Sequence, residues 1–232
     1  MAGCGTRMRS RPLDCVIKTL FDDYEGWIDK IQHYEVSVGY WNNYMLEDHE
    51  VCFEDVALVD SKESSFMVLL GSTLPFLSGR NFKIGSIDYT FQGEIFKKPD
   101  FLTEEYVKFI GLRYMHTPYL WGGKTLFGAD CSGYMQQIFK IFGYRIKRDA
   151  SQQISHGIKI NSIREIKVGD LAFFENESGK VVHVGMMLDG NKIIHAHGRI
   201  RIDQIDEKGI YNLTTKKYSH KLCGINRILH FG

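Results

Sequence analysis

Cys131 stands where loop gives way to helix, in the run Gly128-Ala129-Asp130-Cys131-Ser132-Gly133. That position suits a nucleophile. A helix N-terminus presents unpaired N–H groups and partial positive charge, which stabilise a thiolate and lower the thiol pKa. The same N–H groups can hold the oxyanion that forms when sulfur attacks a carbonyl. A thiolate also needs a proton partner, best a histidine held by a third group. His183 opens the apolar run His183-Val184-Gly185-Met186-Met187-Leu188, and His195 lies in Lys192-Ile193-Ile194-His195-Ala196. Asp189-Gly190-Asn191 between them is a hairpin signal, which makes the two imidazoles neighbours on one sheet face. His195 then fixes the tautomer of His183, the base. His197 shares the alternation with His195, but Gly198 marks the strand end and favours His195. Taken singly, a free cysteine is more often a buried apolar residue. The three side chains together argue for acyl-transfer chemistry.

The elements that must position them read as α+β. Thr103 is an N-cap with Glu104 and Glu105 in the first turn, and Val107, Ile110 and Leu112 to Tyr114 form a helical apolar stripe. A second helix starts at Cys131 and runs to Phe142, with Gly143 as its C-cap. Three β-rich segments follow: Leu171 to Phe174, Val181 to Leu188 and Lys192 to Ala196. The N-terminal part differs. From Asp14 to about Ile95 there are short β-type runs, among them Cys15 to Leu20, Tyr34 to Val38, Phe66 to Leu70 and Ile87 to Phe91, punctuated by glycines. Such runs suggest a small barrel. Phe21 to Ile28 resembles the closing strands of a bacterial SH3-like module, which divides the chain into an abbreviated SH3-like region (1–48), an SH3-like barrel (49–98) and a C-terminal domain (99–232), with Pro99-Asp100 as linker.

Composition excludes other classes. The 232 residues carry a net charge of +1 with both signs interspersed, against a nucleic-acid partner that would need an excess of Lys and Arg. The five cysteines are scattered and lack a C-x-x-C pair, so neither a disulfide framework nor a zinc site is indicated; Cys4, Cys15, Cys52 and Cys223 read as inert. No run approaches the length of a membrane span. Basic MAGCGTRMRSRPLD lacks the apolar centre of a secretory signal, and the compartment stays open between cytoplasm and periplasm or cell envelope. Nothing in the sequence sets the oligomeric state.

Six motifs in order, Tyr119-Leu120-Trp121-Gly122-Gly123, Asp130-Cys131-Ser132-Gly133-Tyr134, Arg148-Asp149-Ala150-Ser151-Gln152-Gln153, Gly169-Asp170-Leu171-Ala172-Phe173-Phe174, His183-Val184-Gly185-Met186 and His195, resemble the NlpC/P60 cell-wall peptidases. The resemblance spans about Glu104 to Leu229. It implies a papain-like domain, with a Cys-bearing helix packed on an antiparallel sheet, that hydrolyses peptidoglycan stem peptides between γ-D-glutamate and a diamino acid, without metal or organic cofactor. By the same resemblance Cys131 is nucleophile, His183 base and His195 orienting residue, and the Tyr119 hydroxyl faces the oxyanion. Asp130 and Ser132 line the γ-D-glutamate pocket, and Asp149 pairs with the free amine of an N-terminal L-alanine. Ala150 departs from a hydroxyl often found there, so one substrate hydrogen bond is either missing or replaced by Ser151. Trp121 and, in the SH3-like half, Glu25, Tyr24 and Tyr40 are further candidates for lining the cleft. The short first barrel is a second departure, since it would supply the substrate-blocking wall. Two alternatives remain: a non-catalytic module binding cell-wall peptides, and a cysteine acyltransferase or amidase on the same fold.

Overall fold

The computed structural model describes residues 16–19, 24–27, 34–97, 99 and 101–231. β1 (Val16–Thr19) and β2 (Tyr24–Trp27) form an antiparallel hairpin. The segment read as a strand from Tyr34 to Val38 is extended coil that ends at α1 (Val38–Leu46). Ser37 caps that helix, its hydroxyl accepting the Tyr40 N–H at 3.1 Å. Tyr40 and Tyr44, one turn apart, both pack edge-on against Phe76, so tertiary contact outweighs the β-like alternation that precedes them.

Six short strands follow: β3 (Glu50–Val51), β4 (Val56–Asp60), β5 (Ser65–Leu69), β6 (Thr73–Leu74), β7 (Asn81–Ile84) and β8 (Ile87–Phe91). They pair as β5-β4-β8-β7 and β3-β6 into a small barrel around Cys52, Ala57, Val59, Leu74, Phe82 and Phe91. The barrel is joined to the rest of the chain by shared core. Val51, Leu70 and Phe96 lie in the cluster that contains the second and third helices, and Arg113 donates to the Phe53 carbonyl at 2.6 Å.

α2 (Glu104–Leu112) is capped by Thr103, which accepts the Tyr106 N–H. A tight hairpin of β9 (Lys124–Thr125) and β10 (Gly128–Ala129) leads directly into α3 (Cys131–Ile141). After α4 (Ala150–Gln153) the chain forms β11 (Ile158–Lys159), β12 (Leu171–Glu175), β13 (Val181–Met187), β14 (Lys192–His197), β15 (Arg199–Asp206), β16 (Gly209–Asn212) and β17 (Lys217–Arg227). The sheet order is β11-β17-β12-β13-β14-β15-β16, and β17 pairs with β16 as well, so the sheet curls back on itself. Period-two alternation gives it two apolar faces. Val184, Met186 and Ile194 face α3 with Tyr134, Met135, Ile138 and Phe139, while Ala172, Phe174, Met187, Ile193, Ile205 and Ile210 fill the inside of the curl. Each large side chain buried between α3 and the sheet contributes about 1.5–3 kcal/mol, which fixes the start of α3 against β13.

Candidate active site

The start of α3 is built around Asp130. Its carboxylate accepts the N–H of Gly133 (2.7 Å) as N-cap, the N–H of Gly122 (2.8 Å) from the preceding loop, and both Nη atoms of Arg148. Arg148 also donates to the Ser132 hydroxyl at 2.9 Å. Asp130 and Ser132, read from the sequence as pocket residues, are buried and turned toward Arg148, so the side chains on both sides of Cys131 hold the loop-to-helix junction rigid. Removing one partner of such a buried pair leaves an uncompensated charge. Arg148→Met should therefore lower stability by about 3–5 kcal/mol, read as a fall in the thermal midpoint.

Cys131 is buried, and its sulfur lies against the backbone N–H groups of Val184, Ser132 and Cys131 itself. Val184 follows His183 in β13, so Cys131 packs against that strand one residue from His183. Gly185 pairs with His195 across the β13–β14 hairpin, so His183 and His195 are diagonal neighbours. A Cβ at Gly185 would come within 2.8 Å of the His195 Cβ, so glycine is what allows the second imidazole to sit close. The His183 Nε2 to His195 Nδ1 distance is 2.9 Å.

The relay continues through Asp203 on β15, whose Oδ2 lies 3.2 Å from His195 Nε2. Asp203 is fully buried, ion-paired with Arg201 and accepts the Leu213 N–H on Oδ1 at 3.1 Å. Burial pushes its carboxyl up, but hydrogen bonds from His195, Leu213 and Arg201 outweigh that and hold it ionised, below the usual range. An acceptor at this place fixes every tautomer. His195 carries its proton on Nε2, so its Nδ1 accepts from His183 Nε2–H. The free lone pair of His183 is then on Nδ1.

The electrostatics differ from the sequence expectation of a thiol lowered by a helix end. Burial, then the Asp130 charge, push the Cys131 thiol up, against a smaller opposing effect of the three N–H groups. Burial, followed by repulsion from His195, His220 and His197, pushes His183 well below 6.5. The pair therefore rests as neutral thiol and neutral imidazole. An imidazole in this place can accept a proton only while unprotonated, a state lost as pH falls through its lowered pKa. For a reaction that uses His183 as base, kcat/KM is accordingly expected to stay level down to below pH 6.5, as a pH–rate profile would show.

Tyr119 pairs with Ala129 beside the nucleophile; burial first, then the Cys131 charge, raise its phenol pKa. Trp121 is 86% exposed on the rim, with Leu120 and Phe127 also exposed. Asp149 and Ser151 are exposed on the first turn of α4, which packs on β13. The side chain of Glu25 lies outside the described residues, as do Cys4 and Cys15. Sequence reasoning missed Asp203, although extending the alternation past Gly198 through Arg199-Ile200-Arg201-Ile202-Asp203 would have placed it on the His195 face. It also gave Arg148 no role. His220 on β17 stacks on the His183 ring with centroids 4.2 Å apart, and burial followed by His195 and His197 pushes its pKa down to about 4.

The NlpC/P60 family model matches residues 116–219, a stretch holding Cys131, His183, His195 and Asp203. A γ-D-glutamyl-L-lysine dipeptidyl-peptidase of Bacillus subtilis is 40% identical over 119 residues, which is 50% of this chain and 38% of that protein. A Bacillus cereus protein of the same name is 33% identical over 51% of this chain and 34% of its own length. The chain thus matches little more than a third of these two relatives. A crystal structure of an NlpC/P60 family protein from Bacillus cereus shares the fold over 89% of this chain and 71% of its own, with a TM-score of 0.70 at 24% identity. Its agreement reaches beyond the matched segment into the N-terminal barrel. Over residues 116–219 this chain is therefore similar to the NlpC/P60 family.

Proposed function

We propose that this chain is a cysteine endopeptidase that hydrolyses the γ-D-glutamyl–diamino acid bond of peptidoglycan stem peptides carrying a free N-terminal L-alanine. The observation that carries it is the hydrogen-bonded run Asp203, His195, His183 together with a thiol at a helix N-terminus that lies against the N–H of Val184, the residue after His183. Cys131 Sγ attacks the γ-D-glutamyl carbonyl as His183 Nδ1 takes the thiol proton. The oxyanion is held by N–H groups at the start of α3 and the Tyr119 hydroxyl. His183 then gives its proton to the departing amine, and water, deprotonated by His183, cleaves the thioester. Asp149 supplies the carboxylate for the substrate ammonium, with Ser151, Trp121 and Glu25 along the cleft. In this reading the domain is papain-like and the six-stranded barrel SH3-like, forming a wall of the cleft. The names of the relatives support it, since a dipeptidyl-peptidase removes two residues from a free N-terminus.

The test is mass spectrometry of L-Ala-γ-D-Glu-L-Lys and its N-acetyl form incubated with the protein. Release of L-Ala-D-Glu from the free-amine peptide alone is expected. Cleavage of both forms would remove the Asp149 amine pocket and keep the peptidase. Cleavage of neither by folded, reduced protein would favour a cell-wall peptide-binding module, and transfer of the acyl group to an added amine in preference to water would favour an acyltransferase.

A further inference from the structure

We propose that His183, His195 and His220 form a three-imidazole site for a borderline divalent cation of the Zn²⁺ class, and that filling it switches the peptidase off without engaging Cys131. One nitrogen from each ring lies within 4.8 Å of the others. Tetrahedral zinc with bonds of about 2.0–2.1 Å needs nitrogens about 3.4 Å apart, and since imidazole lone pairs lie in the ring plane, half-buried His220 must turn out of its stack on His183 to complete the site. Groups behind the rings suit ligation. His195 Nε2 is held by Asp203, a carboxylate–imidazole arrangement that orients a ligand and raises its basicity. His220 Nδ1 is 2.8 Å from the Ser219 hydroxyl, which leaves Nε2 as its donor atom. The site has a way in: His183 and His195 are buried, but His220 is half-buried and borders exposed His197, with ring centroids 5.0 Å apart.

Inhibition follows from the tautomers, and this part rests on His183 being the base. His195 offers the Nδ1 lone pair that now accepts from His183. For His183 to bind the same cation through Nε2, its proton must move to Nδ1. That nitrogen then carries a proton and can no longer accept one from the thiol. Three neutral imidazoles bind, one proton changes nitrogen on His183, and none is released.

Two arms test this with zinc sulfate. In calorimetry of the full-length Cys131→Ser protein, one zinc should bind, with a heat that does not depend on the ionisation enthalpy of the buffer. Loss of binding in this variant, or release of one proton per zinc in the wild type, would assign the metal to the Cys131 thiolate and overturn the proposal. In the cleavage assay, His220→Phe keeps a ring stacked on His183 and should cleave peptide like the wild type, while zinc inhibition weakens about tenfold or more. Unchanged inhibition in a folded variant would overturn it; if His220→Phe does not fold, His220→Asn provides the same comparison. The calorimetric arm reads binding alone, so it stands or falls separately from the proposed peptidase activity.

Discussion

His183→Gln is expected to lower kcat/KM about ten-thousand-fold while the protein stays folded. Glutamine nearly fills the imidazole volume, and its amide can still donate to His195 Nδ1, so the buried nitrogen keeps a partner. What it lacks is a basic lone pair for the thiol. Because burial and Asp130 raise the Cys131 pKa, almost no thiolate exists at neutral pH without that base. The loss should fall on kcat, with KM little changed, since the interaction is made only as the thiol reacts. A thermal midpoint near that of the wild type, measured beside the kinetics, separates lost chemistry from lost fold.

Asp203→Asn is expected to lower kcat/KM about 100- to 1000-fold, although Asp203 is two hydrogen bonds from the thiol. The Leu213 N–H and Arg201 both donate to the Asp203 carboxylate, so an asparagine there turns its carbonyl oxygen toward them. The amide then faces His195 Nε2, which must become an acceptor. His195 moves its proton to Nδ1, His183 accepts on Nε2, and the His183 proton ends on Nδ1. One change of acceptor to donor inverts the whole run. Imidazole nitrogen chemical shifts read the inversion directly, and kcat/KM reads its consequence. If Asp203 served only in packing, this near-isosteric change would leave both unaltered.

These expectations depend on residues of unequal visibility in the sequence. The helix start at Cys131 and the hairpin that brings His183 and His195 together were legible because both are local signals, the hairpin being announced by Asp189-Gly190-Asn191. α2 was legible for the same reason, with its cap at Thr103, and α3 from its apolar run and the Gly143 stop, while its Asp130 cap emerged only in the structure. The strands from Arg199 onward were not assigned, because their partners are set by a sheet that closes far along the chain. β17 joins β12 and β16 at once, and no local pattern specifies that. His220 reaches the His183 ring only through this closure, 37 residues downstream. Tyr34 to Val38 was misread because polar–apolar alternation cannot outbid a Ser37 cap and two tyrosines packing on Phe76. The thiol pKa was misjudged for a related reason. A helix end lowers it, but the depth of burial and the facing of Asp130 are tertiary facts.

The central claim is that Cys131 carries the acyl group, and intact-protein mass spectrometry of acid-quenched samples tests it most directly. Incubation with L-Ala-γ-D-Glu-L-Lys should give a transient adduct of the L-Ala-D-Glu acyl group on wild-type protein, lost on treatment with hydroxylamine and absent from Cys131→Ala. Peptide cleavage that persists in Cys131→Ala, or an adduct that maps to another residue, would contradict the account.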